Sequence, residues 1–162
     1  MRNITAIIFQ TVLIATFALW FGGFTFYVSF VVPIGNEVLE SARTQGFITQ
    51  QVTNWLNVVC GCASFLMLLE SLRNRKTAAL IVRVTQLVTA LAIIAMLIGL
   101  AWLHPVMDAM IIAKDDFITD EARFYGLHRI YLWLSTFQWI AAWIWLLTTV
   151  AGWRTETTNK NH

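Results

Sequence analysis

The sequence predicts an all-α fold: an integral membrane four-helix bundle, both termini cytoplasmic, with short interfacial helices in the outer loops. Three observations predict it. The 162 residues are 58% hydrophobic and 12% charged, where an ordinary soluble domain carries roughly 25% charged residues; the mean hydropathy is +0.66. The charges are clustered. They leave uncharged stretches of 34 residues between Arg2 and Glu37, 26 between Arg43 and Glu70, 24 between Arg83 and Asp108, and 24 between Arg129 and Arg154. Each stretch meets the length of about 20 residues that crosses a hydrocarbon core. The runs are also continuous rather than alternating, which argues against a β-barrel. A net charge of +2, scattered along the chain, gives no footprint for nucleic acid.

Residues 1–153 read as one four-span domain and 154–162 as a polar tail, with helices at about 4–32, 52–72, 77–103 and 121–150. The first apolar run is about twice as long as a signal-peptide core and ends in no A-x-A site, so it reads as a retained helix. Its length exceeds a bilayer core. It therefore tilts, bends near Gly22-Gly23 or extends past the membrane, and Pro33 marks its end. Thr11, Ala15, Ala18, Gly22, Thr25 and Ser29 recur at helical spacing as a small face suited to close helix contact or, alternatively, to lining a pore. Residues 34–51 carry Glu37, Glu40, Arg43 and Gln45 between apolar positions. They read as a short amphipathic interfacial helix or as a solvated loop.

The second helix places Asn54, Asn57, Gly61, Ser64 and Ser71 on one face. Cys60 and Cys62 flank Gly61; two residues apart on a helix, they point to nearly opposite sides and read as apolar cysteines, not as a copper pair or a disulfide. Arg73, Arg75 and Lys76 form a basic turn, which places that turn and both termini on the cytoplasmic side. The third helix carries Arg83 about two turns in. It is read as snorkelling to the interface, pairing with Glu70, or contacting an anion or lipid headgroup. His104-Pro105 closes this helix, and Trp102 and Trp55 fall where an outer aromatic belt belongs. An acidic loop follows, and Thr119 or Asp120 is placed to cap the fourth helix. On that helix His128, Tyr131, Ser135, Gln138, Ala142 and Thr149 share one side, while Trp139, Trp143 and Trp145 crowd others.

The stretches LWFGGFTFYVSFVVPIG, LIGLAWLHPVMDAM and RFYGLHRIYLWLSTFQWI together resemble the transmembrane protein 205-like family (domain of unknown function 4149). The matching positions are Trp20, Gly22, Pro33, Pro105, Phe124, Leu127, His128 and Gln138. The resemblance implies a four-span membrane architecture and draws attention to His128. It implies no reaction.

Two sets of candidate site residues follow. His104 and His128 are expected near one outer face, where Met107, Met110, Asp108 or Glu37 would complete a copper or other metal site, or where the pair would hold a haem. The plainer expectation is no cofactor, with both histidines bonded to backbone or water. Asn54, Asn57, Arg83, Ser135 and Gln138 form the candidate interhelical or transport seam. No nucleophile elbow, phosphate loop or paired-carboxylate motif is present, so the expectation is a non-catalytic bundle or accessory subunit of a membrane complex. A small transporter or channel and a metal- or haem-binding protein are the alternatives. The expected partners are the lipid bilayer and another membrane protein or a second copy, and the expected location is a bacterial inner membrane.

Overall fold

The computed structural model describes residues 4–39, 42–73, 80–112, 117–118 and 120–158. Arg2, Glu40, Arg75, Lys76, the 114–116 charge cluster, Thr119 and the last four residues, each invoked above, lie outside the described residues. Among the described residues the chain is almost wholly helical, with one short strand pairing and a few turn residues. Its elements are α1 (Ile4–Phe26), a π-helical turn (Tyr27–Val31), α2 (Val32–Val38), α3 (Ala42–Leu72), α4 (Leu80–Asp108), β1 (Ile111–Ile112), β2 (Phe117–Ile118) and α5 (Glu121–Thr158). Among the described residues, four helical stretches are long and apolar enough to cross a membrane: Ile4–Val38, Thr44–Leu72, Leu80–Asp108 and Glu121–Trp153. The chain divides into two compact units, Met1–Leu69 and Glu70–His162.

In the first unit neither Gly22-Gly23 nor Pro33 interrupts the helix. Both glycines lie inside regular α1, and the irregularity falls at Tyr27–Val31, where the Val32 N–H bonds back five residues to the Tyr27 carbonyl. The cause is Pro33, which has no N–H to donate and whose ring crowds the carbonyl four residues earlier. Pro33 itself then sits in the first turn of α2, a position that needs no N–H. The helix continues to Val38, and Leu39 turns extended, with φ −85° and ψ 130°. Since α3 already begins at Ala42, residues 34–51 form no separate interfacial helix.

The packed face of α1 is also not the small one. Leu13, Phe17, Trp20 and Tyr27 are buried, whereas Thr11, Ala15, Ala18, Gly22 and Ser29 are exposed. Large side chains win here because they offer more contact area, and Phe17 and Trp20 pack edge to face at 6.1 Å. Near the other end of the unit, Tyr27 donates its hydroxyl to Thr49 Oγ1 at 2.9 Å, and Thr49 donates to the Gln45 carbonyl at 2.8 Å. The Gln45 carboxamide occupies the space a side chain at Gly35 would need, and its buried Nε2 has no hydrogen-bond partner among the described residues. An unmade buried hydrogen bond costs about 1–3 kcal/mol, while an apolar group of similar shape avoids that cost. Gln45→Met is therefore expected to raise stability by about 1 kcal/mol in a detergent unfolding assay.

In the second unit α4 and α5 pack against each other along their length. Pro105 does not close α4, which runs on to Asp108. The ring removes one hydrogen bond near the helix end, and the Ala109 and Met110 N–H groups still close the last turn on the Pro105 and Met107 carbonyls. The connection from α4 to α5 contains a short antiparallel pairing, Ile111 with Ile118 and Ile112 with Phe117, instead of the expected interfacial helix. Asp120 caps α5 by accepting the Arg123 N–H at 3.0 Å. Leu100, Leu103, Met107 and Tyr131 form a core cluster, with Phe124, Leu127 and Leu134 packed on it.

Candidate functional site

Steps of three and four residues put Tyr131, Ser135, Gln138, Ala142, Trp145 and Thr149 on one stripe of α5, and all six are buried. The stripe predicted from sequence is present, but it also includes Trp145, expected elsewhere, which is 2% exposed. Opposite it, α4 buries Gln86, Thr89, Ala90, Ile93, Leu100 and Leu103. Ala90 and Ala142, both wholly buried, are the small residues that let the two helices approach.

Polar side chains tie this interface together. Gln138 Nε2 donates to the Ile93 carbonyl at 3.1 Å. Three turns further along, Gln86 Nε2 donates to Thr149 Oγ1 at 3.0 Å. The Gln86 carbonyl accepts from Ser71 Oγ at 3.3 Å and from Thr89 Oγ1 at 3.1 Å. Ser71 Oγ in turn accepts the Trp145 indole N–H at 3.0 Å. One connected network thus joins the last turn of α3 to α4 and α5. Beside it stands a buried carboxylate: Glu70 accepts the Trp153 indole N–H at 2.7 Å and Arg73 at 3.2 Å. The Glu70 side chain is 0% exposed and that of Arg73 is 43% exposed. The guanidinium therefore keeps contact with its surroundings while the carboxylate is enclosed, and both carboxylate oxygens have a donor. In a low-dielectric interior an unpaired group of this kind would cost several kcal/mol, which is why each has a partner.

The other candidates fall differently. Ser135 lies on the buried stripe and bonds to the Tyr131 carbonyl of its own helix. Arg83 is half-buried on α4, and the guanidinium at Glu70 is that of Arg73, three residues away on the same chain segment, so the expected Arg83–Glu70 pair is not formed. Asn54 is exposed and Asn57 half-buried on α3, in the other compact unit. Cys60 is buried and Cys62 exposed, on opposite sides of α3 as their spacing requires. His104 Nδ1 pairs with Asp108 Oδ2 at 2.9 Å one turn along its own helix, and its ring meets Tyr131 edge to face. His128 instead stacks on Phe124, with rings 7° from parallel. Among the described residues no group of three His, Cys, Asp or Glu side chains is placed to hold a metal ion, so His128 does not join His104 and Asp108 as a third ligand. Met107 is engaged in the apolar cluster.

Glu70, Ser71, Gln86, Trp145 and Trp153 escaped the sequence reading as a set. One signal was available. Trp145, Thr149 and Trp153 lie four residues apart, so they share a helix face, and Gln86 is a lone carboxamide inside an apolar run. No protein-family model, curated protein or solved structure matches the chain.

Proposed function

We propose that the chain is a non-catalytic integral membrane protein, an accessory subunit that associates laterally with another membrane protein or a second copy. The observation that carries this is the inverted packing of α1. Leu13, Phe17 and Trp20 are buried, while Ala15, Ala18 and Gly22 are exposed, beside Ile14 and Leu19, on a helix of membrane length. Within hydrocarbon, helices associate by close packing and not by the hydrophobic effect, and small residues permit that approach. The polar network of α4 and α5 supports the same reading, because its groups bond one another across the helices. The resemblance to the transmembrane protein 205-like family belongs to this proposal, as do a bacterial inner membrane and two cytoplasmic termini.

A side chain at Gly22 would meet nothing within 4 Å. Gly22→Leu is therefore expected to leave stability unchanged and to lower recovery of a co-purifying membrane partner, or of the dimer, on the order of tenfold. A fixed-stoichiometry complex that tolerates Gly22→Leu would move the contact to another face. Protein that purifies alone as a monomer from native membranes would remove the proposal.

The enclosed Glu70 favours a second reading, a small transporter, because an ionisable group inside a membrane helix assembly is a default functional residue. Reconstituted protein that conducts ions, and stops doing so in Glu70→Gln while its stability holds, would favour that alternative.

A further inference from the structure

We infer that in the second compact unit the bilayer boundary runs through Trp102 and Trp133, so that residues 103–110 and 120–132 stand outside the hydrocarbon as a water-facing headpiece. The inference rests on the membrane placement proposed above and adds where the membrane ends. Trp102 on α4 and Trp133 on α5 are 67% and 57% exposed. They occupy the same level of the helix pair: the next residue pairs inward and outward, Gly99 with Leu134 and His104 with Tyr131, are in contact. Exposed tryptophans at one level are what a membrane–water interface selects, since the indole has an apolar body and one N–H for the headgroup region.

The other end of the slab confirms the spacing independently. From Trp133 the helix reaches Trp153, beside the Glu70–Arg73 pair, after 20 residues, and from Trp102 it returns to Arg83 after 19. At 1.5 Å per residue these are about 30 and 28 Å, matching a hydrocarbon core of about 30 Å. Between those limits, 84–101 and 134–152 contain no charged residue. The surface there is apolar, with Val88, Leu91, Ile98, Phe137 and Leu147 at 50% exposure or more. The exposed hydroxyls are closed on their own helix: Thr136 bonds to the Leu132 carbonyl at 2.8 Å and Thr148 to the Ile144 carbonyl at 2.9 Å. Hydrocarbon demands that internal satisfaction.

Beyond Trp133 the surface changes character. Asp120, Glu121, Arg123 and Arg129 are all exposed, beside Tyr125, Ile130 and Leu132, and burying any of the four charges in lipid would cost several kcal/mol. The segment 121–132 rises about 18 Å past the boundary, more than the headgroup layer alone, whose share is about 5–8 Å per side. Leu103, Met107, Phe124, Leu127 and Tyr131 fill the interior of the headpiece, in one cluster that continues across the boundary through Leu100 and Leu134. The half-buried His104–Asp108 pair belongs to the headpiece. The fourth hydrophobic segment thus enters the membrane near Trp133, not at Glu121.

The test uses the full chain in dioleoylphosphatidylcholine nanodiscs, where both membrane faces are open to reagent. On a Cys60→Ala, Cys62→Ala background, single cysteines replace surface residues on each side of the boundary: Arg123→Cys and Tyr125→Cys outside, Phe137→Cys and Leu147→Cys inside. Labelling by a charged, membrane-impermeant maleimide is expected to be on the order of tenfold or more faster at 123 and 125 than at 137 and 147. All four should react alike once the protein is denatured. Protection at 123 and 125 equal to that at 147 would overturn the inference while leaving membrane insertion intact. Rapid labelling at all four sites, or failure to enter the nanodisc, would instead remove the membrane placement itself.

Discussion

Trp145→Ala is expected to lower stability by about 3 kcal/mol. The indole is 2% exposed, at the centre of the α5 stripe, and its N–H is bonded to Ser71 at 3.0 Å. Alanine leaves a cavity that neighbouring helices fill only in part, and it also leaves the Ser71 hydroxyl without its donor. The packing part dominates. Trp145→Phe keeps most of the ring volume and loses the N–H, so it is expected to cost about 1 kcal/mol. Reversible unfolding of both variants in mixed detergent micelles separates the two contributions. Equal losses would show that the hydrogen bond, and not the filled volume, holds this level of the interface.

Glu70→Ala is expected to cost about 2 kcal/mol. The carboxylate is enclosed, and it closes the indole N–H of Trp153 at 2.7 Å, a short charge-assisted bond. The ion pair with Arg73 contributes less, because 43% of the arginine side chain is exposed and an exposed partner is screened. Glu70→Gln keeps an acceptor for Trp153 and is expected to retain about half of the lost stability. A fall in stability as large for Gln as for Ala would assign the effect to charge and reverse this order of contributions.

The elements were legible from the sequence because their cause is composition: uncharged runs long enough to cross a bilayer. Their ends were not. Pro33 and Pro105 signal breaks in a linear reading, yet Pro33 sits in the first turn of α2, and Pro105 costs α4 one hydrogen bond near its end without stopping it. The choice of packed face on α1 depended on which surface the neighbouring chain presents, which no single-helix pattern contains. Likewise Ser135 and Gln138 followed from the period of α5, but Glu70 and Trp153 meet across 83 residues of sequence. The partner of a buried carboxylate is set by tertiary approach, and the sequence suggested Arg83 where Glu70 meets Arg73 and the Trp153 indole. The histidines show the reverse case. His104 and His128 lie towards the same end of the α4–α5 pair, but the local neighbours Asp108 and Phe124 engage them.

The central claim is that the polar side chains within the membrane-length helices brace those helices against one another. The most direct test is a double-mutant cycle between Glu70 and Trp153, using Glu70→Ala, Trp153→Phe and the double variant, with stability measured in bilayer-like bicelles. The account predicts a coupling energy of about 1 kcal/mol, because either single change removes the same bond. Strict additivity of the two changes would contradict it, since the 2.7 Å contact would then hold nothing in place.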